Sequence, residues 1–451
     1  MTSLQISNSL TRTKDLFKPI NPKKVSMYVC GPTVYANPHV GNGRSLIVFD
    51  LLFRVLIKLY GKENISYVRN ITDVDDKIIE TSKKKSISID KITSEVTDIF
   101  HQNTKDLNCL APTAEPKATD HIEGMIDMIS SLIEKKLAYV KEGHVYFLIS
   151  KFKNYGKLSN KKLDDLVAGS RIEVSKLKKN PLDFILWKPA LNDEPGWDSP
   201  WGKGRPGWHL ECSVMSEKYL GKNFDIHGGG LDLLFPHHEN EIAQSCSNNS
   251  SDFLANYWVH NGFVTMKKEK MSKSLGNIET ISDVLKRYNG QVIRLALLSA
   301  HYKQPLDWNE ILLEQSKATL EKWYELYDEI EINSNVPEIF SSLLDDLNTP
   351  KYFANLHELF NLASKGDNNK RNEFNQACRL IGIFNEKKEV LEKKKQSLAK
   401  VDEKYILEKI EERIRARKSG DYALADKIRD KLFKKGIVIE DKQNTTEWKY
   451  K

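Results

Sequence analysis

The chain has 451 residues, and its 69 Lys and Arg against 62 Asp and Glu leave a formal charge of +7. That length exceeds what one hydrophobic core usually organises, so two to four structural units are expected, and so mild a positive balance permits a polyanionic partner without demanding one. No window approaches the roughly 18 unbroken apolar residues of a spanning helix, the five cysteines at 30, 109, 212, 246 and 378 have no paired spacing, and the first thirty residues hold no apolar leader, so a soluble protein in a reducing, cytoplasmic setting, off the membrane, is expected.

Val25 to Cys30 reads as a short buried strand, and the Gly/Pro turn after it leads into an apolar helix from about Gly43 to Tyr60. Ile65 to Ile71 is the next strand, completing a β-loop-α-β unit. Leu46, Ile47, Val48, Phe49, Leu52 and Val55 put apolar surface on nearly every side of that helix, as expected for one packed deep in an α/β layer, so its N-terminus is a well-anchored anion site. Residues 112–192 change character, with a helix near Lys117 to Lys136, a β-like Ala138 to Ile149 and a lysine-rich stretch through Lys179. They read as an insertion splitting the nucleotide domain.

Phe224-Asp225-Ile226-His227 then runs into Gly228-Gly229-Gly230, a strand end meeting a glycine turn, with a helix opening near Pro236. After Ser274 the pattern is mostly helical, with amphipathic segments around Ile281 to Leu298, Glu310 to Ile332, Lys351 to Leu362 and Asn372 to Phe384. Near the end, helices at Lys404 to Arg417 and Asp421 to Lys434 precede a strand at Gly436 to Ile439.

Three stretches carry chemistry. In Pro38-His39-Val40-Gly41-Asn42-Gly43-Arg44, His39 and Asn42 flank a helix N-terminus whose free N–H groups favour phosphate, and Gly41 and Gly43 let a nucleotide approach the backbone. In Lys267-Lys268-Glu269-Lys270-Met271-Ser272-Lys273 four lysines fall within seven positions, which on its own is also what a solvated loop looks like. Between these stretches, His237 and Glu241 are four apart and project from one helix face, a spacing that offers a sensible ligand pair, whereas His238 would pair with Ile242. With Cys212 they provide imidazole, carboxylate and thiolate, a donor set suited to zinc. Cys109, Cys246 and Cys378 read as packing residues, and Asp73, Asp75 and Asp76 as caps on a solvated helix.

These stretches, together with Met27-Tyr28-Val29-Cys30-Gly31-Pro32-Thr33-Val34-Tyr35, Tyr67 to Asp73, Pro206 to Ser213, and Phe235-Pro236-His237-His238-Glu239-Asn240-Glu241, resemble the class I aminoacyl-tRNA synthetases, and within them the cysteinyl-tRNA synthetases, nearly end to end. The resemblance implies a Rossmann-like α/β catalytic domain with a parallel sheet, split by an insertion, then a helical bundle and a small mixed tRNA-binding domain. On the numbering this gives halves at 1–111 and 201–290 around a connective insertion at 112–200, a stem-contact helical region at 291–345, a bundle at 346–400 and an anticodon-binding unit at 401–451. That last unit carries 14 Lys and Arg against 11 Asp and Glu, so its pattern, including Arg429 and Trp448, points to RNA more than its charge does.

The resemblance also implies roles. Cys30 becomes the fourth ligand beside Cys212, His237 and Glu241, holding one zinc ion that takes the substrate's sulfur. A thiol is acidic and soft enough to bind zinc as thiolate where serine's hydroxyl is not, which explains a cysteine enzyme with no editing segment. Gly31, Thr33, Thr72, Trp208 and His227 fall to the amino acid. His39, Gly41, Asn42, His227, Gly229, Asp232, Lys270 and Lys273 fall to Mg-ATP, with His39, Asn42, Lys270 and Lys273 acting on the reacting phosphates. Asn42 departs from the family pattern, which often has a second histidine there; asparagine donates a hydrogen bond but carries no charge. The implied reaction activates L-cysteine as its adenylate and passes it to the terminal ribose of tRNA(Cys), initially to the 2′-hydroxyl, and a monomer is expected. Two rivals share parts of this pattern: a ligase joining cysteine to a small amino sugar, which needs no anticodon unit, and a noncatalytic tRNA-binding relative, which needs neither Lys273 nor the ligand set.

Overall fold

A computed structural model describes residues 3–161, 177–191, 193–266, 269–270, 278–329, 338–390, 393, 401–442 and 446–450. Four of its strands run parallel: β1 (Val25–Val29), β2 (Ile65–Arg69), β3 (Phe224–Gly230) and β4 (Ala255–Asn261), side by side in the order β4-β3-β1-β2. Helix α1 (Val40–Tyr60) crosses from β1 to β2, α2 (Trp208–Leu220) precedes β3, and α3 (Glu239–Asn249) joins β3 to β4. After β2 is laid on one side of β1, the chain returns to lay β3 on the other. The crevice beyond the carboxyl ends of β1 and β3 is therefore the point where the winding reverses, the place where open α/β sheets bind ligands.

Every residue of β1 is buried, and its period-two alternation serves two cores. Val25, Met27 and Val29 join Ile47, Val48, Leu52 and Val55 of α1, whereas Tyr28 joins Val68, Leu210, Met215 and Trp258. That second core also takes Met125, Phe147 and Trp187 from the segment between β2 and α2. Layers on both faces explain why the strand reads as an unbroken apolar run. The same segment adds an antiparallel sheet of Ala138–Lys141, His144–Phe147, Phe184–Pro189 and Gly204–Pro206. At the end of the chain, helices Glu403–Lys418 and Tyr422–Lys434 pack with the hairpin Ile437–Asp441/Thr446–Tyr450 around Ile406, Ile410, Ile428, Leu432 and Ile437.

The structure departs from the sequence reading in several places. The helix expected from Glu310 to Ile332 is, among the described residues, α-helical only over Glu310–Trp323 and closes in a 3-10 turn, Tyr324–Leu326. The helix expected over 281–298 is two, Ile281–Leu285 and Gly290–Leu298, because the Asn289 side chain accepts from the Gln291 N–H and caps a new start. The helix near Lys117 opens as a 3-10 turn, Ala118–His121, before Ile122–Glu134. Of the three clustered aspartates only Asp75 caps, receiving the Lys77 N–H; Asp73 accepts from Thr119, and Asp76 pairs with Arg205 and Lys188 of the inserted sheet. Gly228 to Gly230 stay within β3 and do not form a turn. Glycine is required there by packing: a Cβ on Gly228 would lie 2.2 Å from the Phe49 ring, and one on Gly229 would lie 3.0 Å from His238.

One buried ion pair ties α1 to the helices that follow. Arg294, fully buried, pairs with Asp50 of α1 and donates to the carbonyls of Ile381 at 2.5 Å and Leu107 at 3.2 Å. Burial alone would raise the Asp50 carboxyl, but Arg294 and Arg54 beside it carry it below its ordinary value. Removing one partner strands the other charge in the interior. Arg294→Met should therefore lower unfolding free energy by about 3–5 kcal/mol in denaturant titration; a loss under about 1 kcal/mol would mean the pair is not held as described.

Candidate functional site

A cavity of about 840 Å³ opens at the reversal point. Its wall includes Cys30, Gly31 and Thr33 after β1, His39, Gly41 and Asn42 at the start of α1, Trp208 at the start of α2, Asp232 after β3, and Asn261, Gly262 and Phe263 at the end of β4.

Helix α1 begins where its sequence says it should, and the cap explains the asparagine. His39 accepts the Asn42 N–H on Nδ1 at 3.3 Å, and Asn42 Oδ1 accepts the His39 N–H at 3.0 Å, a reciprocal capping box. Asn42 caps with its oxygen only, so the donating half of the amide is the half a phosphate would need. The arm that follows β4 is anchored against this helix start: strand Val264–Met266 pairs with both Glu269–Lys270 and Leu306–Asp307, and Thr280 bridges to His39. Lys270 thus ends a short strand, and Lys273 lies outside the described residues.

The loop after β1 is laid along the chain after β2. Thr33 bridges Thr72, and the Gly31 N–H donates to Asn70 Oδ1 at 2.9 Å. A Cβ on Gly31 would fall 1.6 Å from the Asn70 carbonyl oxygen, so only glycine permits this approach and with it the placing of Cys30.

Behind that wall lies a buried cluster. Cys30 Sγ sits 3.6 Å from Cys212 Sγ and 3.6 Å from Glu241 Oε1. His237 Nε2 lies 3.1 Å from the same Oε1 yet makes no hydrogen bond. These separations are close to the edges of a tetrahedron around zinc, roughly 3.8 Å between sulfurs and 3.3 Å between nitrogen and oxygen for bonds near 2.3 and 2.0 Å. The His237 lone pair is thus buried and aimed into the group, and a thiolate-rich set with one imidazole and one carboxylate suits zinc. Other groups hold the donors in place. His227 Nε2 meets Glu241 Oε2 at 2.8 Å while its ring stacks on Trp258, and His209 Nδ1 meets His237 Nδ1 at 2.9 Å. Trp208 covers His237, ring centroids 4.2 Å apart.

Burial, then the neighbouring thiol, pushes Cys30 well up from its ordinary value; burial, then His209 and His227, pushes His237 well down. The imidazole is already in its ligating neutral form, while the thiols hold protons that only a strong cation would displace.

The structure brings Cys30, Cys212, His237 and Glu241 together. It places Thr72 and His227 behind the cavity wall, where the Thr72 hydroxyl donates to Glu211 at 2.9 Å. It also adds residues the spacing argument set aside. Cys30, His227, His238 and Glu241 form an overlapping group, with His238 Nε2 3.4 Å from Cys30 Sγ and Nδ1 on His260 at 2.8 Å. The i,i+4 rule assumed one regular helix, but His237 and His238 lie in a kinked turn, Leu234–His238, whose Phe235 is extended (φ −140°, ψ 131°), so both rings reach the cluster. Asn261, another addition, carries a buried Oδ1 with no partner at the cavity wall.

The chain matches, over residues 16–318, the family model described as the tRNA synthetases class I (C) catalytic domain. It is 57% identical to the Cysteine–tRNA ligase of Pelagibacter ubique across 99% of both chains, and 49% identical to that of Beijerinckia indica across 100% of both. Among solved structures, the Mycobacterium tuberculosis methionyl-tRNA synthetase in complex with methionyl-adenylate superposes with a TM-score of 0.57 at 12% identity, covering 80% of this chain and 89% of that one. That likeness shows the fold.

Two measurements test the cluster. Cys212→Ser should reduce bound zinc from about one ion to near none by elemental analysis with the fold retained by circular dichroism, since a hydroxyl replaces a thiolate ligand; full zinc occupancy would remove Cys212 from the set. Gly31→Ala should also lose zinc while leaving all four donors in the sequence, because the Cys30 loop cannot keep its place; unchanged zinc content would show that the loop yields.

Proposed function

The chain belongs to the class I tRNA synthetases, and within them to the cysteine–tRNA ligases; from that premise we propose that it activates L-cysteine with ATP and transfers the cysteinyl group to tRNA(Cys). The observation that supports this most directly is a zinc-suited donor set at one wall of a cavity whose other walls include a capped helix N-terminus. Cys30, Cys212, His237 and Glu241 would hold zinc, which when bound would supply a Lewis-acidic position suited to a thiolate and not to a serine hydroxyl.

The chain's own residues do the rest. Gly31, Thr33 and Trp208 enclose a small amino acid beside the donor set, while Thr72 and His227 act from behind, through Glu211 and Glu241. At the start of α1 the Val40, Asn42 and Gly43 N–H groups are already engaged, which leaves the Gly41 N–H and the Asn42 amide to donate to phosphate oxygens, while Asp232 bounds the nucleotide end and Gly229 sits one residue inside the cavity-lining Gly230. The cysteine carboxylate attacks the α-phosphorus of Mg-ATP, the bond to the bridging oxygen breaks, and pyrophosphate leaves. Lys270 and Lys273 meet charge that grows as it departs, so they stabilise the transition state more than the ground state. A terminal ribose hydroxyl of tRNA then takes the acyl group and AMP leaves. No side-chain nucleophile is needed. Residues 401–451 are read as the anticodon-binding unit, the protein as a cytoplasmic monomer; among the described residues no helix is long and apolar enough to cross a membrane.

ATP–pyrophosphate exchange with cysteine should exceed that with serine by roughly 10⁴-fold or more; comparable exchange would sink the sulfur-recognition reading. Lys273→Ala should depress kcat for exchange by about 100-fold or more while cysteine binding holds, and an equal loss in both would contradict its role. Deleting residues after Val401 should spare exchange but impair tRNA charging; unchanged charging would overturn the assignment of residues 401–451 as the anticodon-binding unit.

A further inference from the structure

Arg44 lies one turn into α1, and its side chain is wholly buried without a carboxylate partner. Among the described residues its guanidinium donates only to backbone carbonyls, Nη1 to Phe263 at 2.8 Å and Gly262 at 3.3 Å and Nη2 to His301 at 3.1 Å, while Nε finds no partner there. Burial pushes its pKa down to about 10, so it keeps its charge at neutral pH. An apolar side chain would fill this space without the desolvation penalty of a buried cation, so the arginine is retained for what it holds.

What it holds is the cavity. Gly262, Phe263 and Val264 line the same space as His39 and Asn42, and they begin the arm whose strand Val264–Met266 pairs with Glu269–Lys270. The far foot of that arm already reaches α1 through the His39–Thr280 bridge and through Val40 N–H to the Glu279 carbonyl at 3.0 Å. Arg44 ties down the near foot.

We propose that Arg44 is a positioning residue for adenylate formation, fixing the separation across the nucleotide cavity between the start of α1 and the Gly262–Val264 wall, and with that wall Lys270. The claim rests on the reading that this cavity activates an amino acid with ATP. The planar fork is essential, since its two terminal nitrogens serve carbonyls from two separate segments, whereas a lysine ammonium is a single point. Misplacement of one wall should act on the transition state, where phosphate geometry changes, more than on ground-state binding.

The test is cysteine-dependent ATP–pyrophosphate exchange with the full-length protein. Arg44→Lys should lower kcat by about 100-fold with KM for ATP and cysteine held within about threefold, and with unchanged zinc content and far-UV circular dichroism. A wild-type kcat, or a raised KM for ATP at unchanged kcat, overturns the proposal. Gly262→Ala keeps the arginine but sets a Cβ 2.7 Å from the Lys303 carbonyl and 2.8 Å from that of Gln304, displacing the acceptor segment. It should show the same loss of kcat, and wild-type turnover in it overturns the proposal however Arg44→Lys folds. Wild-type protein that supports no exchange removes the activation reading and this proposal with it, whereas normal exchange unaltered in both variants removes the proposal alone.

Discussion

Glu241 is a fully buried carboxylate whose described neighbours are two thiols and the imidazoles of His227 and His237, with no lysine or arginine among its described contacts. An ion in such a setting loses several kcal/mol of hydration and must recover it from a partner of opposite charge. Burial holds His237 and His238 neutral and keeps the thiols protonated, so those four groups bring no positive charge to it. A divalent cation would answer these demands together, balancing the carboxylate, taking the His237 nitrogen and displacing the thiol protons. In the fold around the cluster, α2, β1 and the kinked turn before α3 converge on one small volume.

That convergence depends on the sheet. Cys30 follows β1, His227 lies in β3, and the winding reverses between those two strands, so ligand donors, glycine-lined walls and the start of α1 share one crevice. Close approach is bought by glycine: Gly31 against Asn70 and Gly228 against Phe49 leave no room for a Cβ. The arm beyond β4 is then held to the same helix at both feet, by the Arg44 carbonyl cage and by the His39–Thr280 bridge. Gly262–Val264 and Glu279–Thr280, on either side of the lysine-rich stretch in sequence, are thus tied to a single helix end.

Much of this was legible from the chain alone. The all-round apolar helix after a short apolar strand, and the histidine–glycine start of that helix, are local patterns governed by periodicity and capping, and α1 begins within a turn of where they place it. Cys212, His237 and Glu241 could be selected because ligand chemistry restricts which residue types can serve. Harder to read were features set by contacts between distant segments. Asn289 breaks a helix that periodicity alone would continue, the Gly228–Gly230 run is strand because it pairs with Val259–Asn261 of β4 and, at Gly228, with Val29 of β1, and Asp76 turns to Arg205 instead of capping.

By itself, the sequence determined the α/β class, the family and the donor types, since each depends on residue identity and on spacing within one element. Only the tertiary structure decided that His238 joins the cluster, that Thr72 and His227 stand behind the wall, and that Arg44 is buried against carbonyls. Those outcomes depend on which backbone approaches which side chain across hundreds of residues, and a kinked turn or a missing Cβ shifts that approach by more than any helical-wheel rule can register.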